Sequence, residues 1–76
     1  LGQYDEAIAD FTAAIAAAPD DPDPLNGRGD VYRRLGRYDE AMADLQKAIE
    51  LAPRGVRGHF LRGQVHAARG DHAAAI

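Results

Sequence analysis

The chain repeats itself every 34 residues. Leu1-Gly2-Gln3-Tyr4-Asp5-Glu6-Ala7 returns as Leu35-Gly36-Arg37-Tyr38-Asp39-Glu40-Ala41, and between residues 1–19 and 35–53 twelve of nineteen positions are identical. Small or stiff residues hold the same register: Gly2, Gly36 and Gly70; Ala7, Ala41 and Ala75; Pro19 and Pro53; Gly29 and Gly63. A fixed period of this length means one supersecondary unit used again and again, each copy burying its apolar face against its neighbours. That constraint governs every later reading of the sequence.

Within the period the pattern is helical. Tyr4, Ala7, Ile8, Phe11, Ala14, Ile15 and Ala18 recur at spacings of three and four, which makes one apolar stripe. Asp5 and Glu6 meet the positive end of the helix dipole, and Pro19 stops the helix by removing a donor. Asp20-Asp21-Pro22-Asp23-Pro24 then connects to a shorter helix from about Leu25 to Leu35, with Asp23 expected as its cap and Pro24 in its first turn. Gly36 is expected to close that helix in the left-handed conformation. Residues 38–52 repeat the first helix, with Glu40, Asp44, Lys47 and Glu50 read as a charged outer row. Residues 56–69 form a second short helix whose apolar members are Phe60, Leu61 and Val65, and residues 71–76 begin another long one. No segment alternates with period two, so no strand is expected.

Composition narrows the classes. The absence of cysteine removes a disulfide framework and a thiolate metal site. No apolar run approaches the roughly 20 residues of a membrane span, so no membrane role and a cytoplasmic location are expected. The net charge of −3 is polarised: residues 1–24 hold six acids and no Lys or Arg, whereas residues 25–76 hold nine Lys or Arg against six acids. A nucleic-acid footprint needs a domain-wide basic excess, which a pI near 5.4 does not offer.

The recurring anchors resemble the tetratricopeptide repeat. The complete copy reads Leu25, Arg28-Gly29, Tyr32, Ala41, Leu45 and Pro53; the first copy supplies Ala7, Phe11 and Pro19, and the third His59, Arg62-Gly63, His66 and Ala75. The resemblance implies an all-α solenoid of antiparallel helix-turn-helix repeats in a right-handed superhelix. Residues 1–21 would be the second helix of a partial repeat, 22–55 a complete repeat and 56–76 a partial third, together part of a longer array. Gly29, Gly63, Ala7, Ala41 and Ala75 would lie where helices approach closely. Arg28, where the family has Leu, is expected to pack its stem and send its head to solvent. Repeats cut off from their neighbours are expected to be weakly folded or to self-associate through exposed ends.

The resemblance also implies a function, a protein-protein interaction module whose short helices line a concave groove for a peptide or partner helix. Matching register assigns Asn26, Asp30, Arg33 and Arg34 on one short helix, and Arg57, Phe60, Gln64, Ala67 and Ala68 on the next. Phe60 is an apolar anchor beside Arg33, Arg57 and polar amides. The plainer reading of the same residues is a solvated inner face. The alternative role is a structural scaffold or oligomerisation segment of a larger protein. The Lys, Asn and Arg set with which some family members grip a terminal carboxylate is not reproduced: one register offers Asn26, Asp30 and Leu61, the other Gly27, Arg57 and Leu61.

Other motifs carry less. His59, His66 and His72 occupy the register of Leu25, Tyr32 and Tyr38, and no further ligand completes a metal set, so no metal or other cofactor is expected. Arg28-Gly29-Asp30 spells an adhesion tripeptide, but inside a helix rather than on a loop. The acid pairs Asp5/Glu6 and Asp39/Glu40 sit at helix starts, and Thr12 is the only Ser or Thr in the chain. No catalytic constellation is legible, and the chain is not expected to be an enzyme.

Overall fold

The computed structural model describes residues 2–70, which form four helices joined by short connections. They are α1 (Gly2–Ala17), α2 (Pro22–Arg34), α3 (Tyr38–Leu51) and α4 (Val56–Arg69). The stub expected over residues 71–76 lies outside the described residues.

The helix ends follow from local chemistry. α2 begins three residues earlier than its apolar stripe, because Asp21 rather than Asp23 is the cap. The Asp21 carboxylate accepts the Asp23 N–H at 3.0 Å, and Pro22 opens the helix where its missing donor costs nothing. At the far end Gly36 takes φ +79°. Its N–H reaches the Arg33 carbonyl at 3.0 Å while the Arg37 N–H reaches that of Tyr32 at 2.9 Å, so two orphan carbonyls of the last turn are satisfied. Gly70 repeats the conformation at φ +81°.

Packing follows the chain. α2 lies in contact with α1, α3 and α4, α3 also packs on α4, and α1 touches only α2. This is an antiparallel helical hairpin, α2 with α3, flanked by a helix of the same kind on either side. The core is Leu25, Val31, Ala41, Leu45, Ala48, Leu61 and Val65, with Tyr32, Tyr38 and Met42 packed over its Ala41, Leu45, Leu61 and Val65 cluster. Each fully buried Leu or Val contributes about 1.5–3 kcal/mol. α1, covered on one side alone, has no fully buried residue.

A glycine stands at each close approach. A Cβ at Gly29 would come within 2.8 Å of Leu45 Cδ2, at the hairpin contact expected from the sequence. Gly27 faces the Phe11 ring, whose atoms would lie 2.5 Å from such a Cβ. Gly58 sits under Ile49, whose Cγ1 would lie 3.0 Å from such a Cβ, and beside Asn26. Gly63, in register with Gly29, faces open space among the described residues. Ala75 lies beyond them.

The charged positions correct two expectations. Asp44 is not part of an outer row: it is only 7% exposed. Arg28 does not send its head to bulk solvent but clasps that carboxylate, Nε to Oδ2 and Nη2 to Oδ1, both at 2.7 Å. Its remaining nitrogen, Nη1, donates to Thr12 Oγ1 at 3.1 Å, and Thr12 in turn donates to the Ile8 carbonyl. A guanidinium packed between two helices needs a fork-shaped acceptor, and Asp44, one turn from the packed Ala41 and Ala48, provides it.

Candidate interaction surface on the short helices

Two stripes line the side of the slab made by the short helices. On α4, Arg57, Phe60, Gln64 and Ala67 fall three or four apart and so share one face. Arg57, Phe60, Ala67 and Ala68 are exposed and Gln64 half-buried. Phe60, at 59% exposure, is one of three large exposed hydrophobic residues among those described, with Leu35 and Val56. Arg57 makes no ion pair among the described residues.

On α2 the matching stripe is partly spent on itself. Asp30 Oδ1 accepts from Arg33 Nη2 at 2.7 Å and from Arg33 Nε at 3.0 Å, and Asp30 Oδ2 accepts from Arg34 Nε at 3.3 Å. The cluster leaves one net positive charge, with the Arg34 head more exposed than that of Arg33. Asp30, together with Tyr4 from α1, raises the Arg34 pKa above the ordinary arginine range.

Asn26 departs from its neighbours. It is only 6% exposed, under α4 at the Gly58 contact, and its Oδ1 has no hydrogen-bond partner among the described residues. Its register equivalent is Phe60, one repeat later. A position that α4 covers in the first short helix is therefore open in the second. The structure thus brings Asp30, Arg33 and Arg34 together, aligns Arg57, Phe60, Gln64 and Ala67, and takes Asn26 off the surface.

The remaining sequence motifs resolve simply. His59 Nε2 lies 3.0 Å from the Pro53 carbonyl. No group of three or more His, Asp or Glu side chains placed to hold a metal ion occurs among the described residues. The Arg28-Gly29-Asp30 tripeptide is helical, with Gly29 against Leu45, Arg28 on Asp44 and Asp30 on Arg33. No described helix is long and apolar enough to cross a membrane. Arg28 with Asp44, and Gly27 and Gly58 at their contacts, escaped sequence reasoning. Gly27 and Gly58 have no glycine 34 residues away, so the period does not mark them; the charge complementarity of Arg28 and Asp44, 16 apart, was the available signal.

A search of curated proteins finds no significant match. The sequence profile described as Tetratricopeptide repeat matches twice, over residues 1–56 and 26–76, and so covers the whole chain. With that match, the 34-residue register and an all-helical hairpin built on Gly29, Ala41 and Leu45, the chain belongs to the tetratricopeptide repeat family, whose members are generally protein-protein interaction modules.

Proposed function

We propose that the face made by α2 and α4 is a groove that binds an extended peptide or a partner helix. The observation that carries this reading is the stripe on α4, an exposed Phe60 between a cation with no ion pair among the described residues, Arg57, and the amide of Gln64. The contact of α2 with α4, with none between α1 and α3, supports a surface that curves toward the short helices. A ligand suited to these groups offers an apolar side chain to Phe60, an acidic group to Arg57 and backbone polar groups to Gln64.

Fluorescence anisotropy against a pool of extended peptides pairing Asp or Glu with Leu or Phe tests this. Arg57→Ala and Phe60→Ala are expected to weaken binding tenfold or more each, with helical circular dichroism unchanged. Lys47→Ala, on exposed α3 surface, is expected to leave it unchanged. Binding that survives both α4 substitutions would remove the groove.

A structural or oligomerising role has its own support. Phe60 stands in the register of Asn26, which the following short helix covers, so the same exposed ring suits a stacking contact as well as a ligand.

A further inference from the structure

α2 and α4 hold the same place in successive repeats, yet they begin in opposite ways. α2 opens on Asp21-Pro22-Asp23-Pro24: the Asp21 carboxylate accepts the Asp23 N–H at 3.0 Å, two prolines stiffen the turn, Pro24 is buried, and Asp23 meets the positive end of the helix dipole. Thirty-four residues on, the same four positions read Gly55-Val56-Arg57-Gly58. Gly55 makes no side-chain cap bond, the first turn holds no acid, and Arg57 brings a positive charge to the positive end of the dipole. Glycines replace a cap and a proline, so ordering this turn costs more entropy.

Little holds the turn down. Val56 is 80% exposed and Arg57 is exposed; of these four residues only Gly58 is buried, and it has no side chain to bury. Beneath it lies the amide of Asn26, whose partnerless Oδ1 would be 3.3 Å from a Cβ on Gly58. A buried acceptor left unpaired disfavours the packed arrangement by about tenfold in population, and the amide regains water when the turn lifts. The flanks are fixed independently. Leu61 and Val65 lie in the core with Ala41 and Leu45, and His59 Nε2 stands 3.0 Å from the Pro53 carbonyl.

We infer that the first turn of α4 is a hinged flap with two states. In the seated state Gly58 lies on Ile49 and Asn26; in the lifted state residues 55–58 are unwound, Asn26 is hydrated, and Arg57 is carried away from Phe60 and Gln64. The flap regulates the groove proposed above and rests on that reading for its ligand alone: an acidic group brought to Arg57 removes the repulsion between that cation and the helix dipole, so binding favours the seated state. The capped and stiffened first turn of α2 stays formed throughout.

Amide hydrogen exchange of the ligand-free 76-residue chain, read residue by residue by NMR, is the test. The N–H groups of residues 59–62 bond to the carbonyls of residues 55–58, and those of residues 25–28 to the carbonyls of residues 21–24. Corrected for intrinsic rates, the first set is expected to exchange about tenfold faster than the second. Val56→Pro restores what α2 has at this position, and the Gly55 backbone, φ −69° and ψ 123°, already suits a following proline. It is expected to slow exchange at residues 59–62 about two- to fivefold. Asn26→Leu, made on α2, is expected to slow the same amides about tenfold by removing the unpaired acceptor. Random-coil-corrected Cα shifts of Val56 and Arg57 read the seated fraction even where exchange runs through global unfolding, and are expected to be less helical than those of Pro22 and Asp23 and to rise in both variants. Shifts as helical as those of α2, or shifts and exchange indifferent to both substitutions, overturn the inference. A peptide of the acidic pool that binds the parent is expected to slow exchange at residues 59–62 and to bind Val56→Pro about two- to fivefold more tightly; binding that leaves these amides unchanged overturns the coupling. A turn that answers to both substitutions while no peptide binds upholds the flap and removes the groove.

Discussion

Arg28 and Asp44 meet fork to fork across the α2–α3 hairpin, with two parallel contacts of 2.7 Å. The pair stands in a layer otherwise filled by Ala41, Leu45 and Ala48. It therefore fixes the register of the two helices by geometry as well as by charge.

Removing one partner strands the other. Arg28→Ala leaves the Asp44 carboxylate desolvated without its cation, and is expected to cost about 2–4 kcal/mol. Joint replacement, Arg28→Met with Asp44→Leu, is expected to recover most of that. Chemical denaturation of the three variants checks the sign and size. The hydrogen bond to Asp44 raises the Arg28 pKa above its ordinary range. A raised folded-state pKa gives stability that is complete below the unfolded value and is lost only as pH rises through the folded one. Titration of Arg28 is therefore expected to cause no loss of stability between pH 7 and about pH 10.

The same substitution at equivalent positions should act in opposite directions. Gly29→Ala forces a methyl to within 2.8 Å of Leu45 and is expected to destabilise by about 1–3 kcal/mol, helix propensity notwithstanding. Gly63→Ala meets nothing in the described chain and is expected to stabilise by about 0.5–1 kcal/mol. Thermal melts of the two variants decide it.

Gly27 and Phe11 form a coupled pair. Gly27→Ala is expected to destabilise by about 1–2 kcal/mol while the ring is present, and to become neutral or stabilising with Phe11→Ala. A double-mutant cycle reads the coupling; additive effects would mean that the ring moves aside without penalty.

Gly36 meets no side chain, so its role is conformational. Holding φ +79° with a Cβ is expected to cost about 1 kcal/mol in Gly36→Ala, and less in Gly36→Asn, which tolerates that region better. Urea denaturation of the two variants gives the order.

The period made the long helices, the Gly36 turn and the Ala41 and Leu45 packing legible, because each recurs with the same neighbours in successive units. It was silent where the units differ. Gly27 and Gly58 serve single contacts and have no glycine in register, and the Asp21 cap has in its register Gly55, which has no side chain to cap with. Asp44 was misread because charge on a helix ordinarily marks the solvent side, and only the arginine 16 residues earlier turns it inward. The α2 and α4 stripes followed from register, but the burial of Asn26 did not: it depends on how near α4 comes when residue 58 has no side chain.

Every contact among the described helices joins neighbours along the chain or, for α2 with α4, helices one removed. Loop closure is therefore short at every step, which favours rapid folding with α2 and α3 forming first. α1 touches α2 alone, so it should be last to dock and first to exchange its amide protons, and the loss of α1 would leave the α2–α3 hairpin standing.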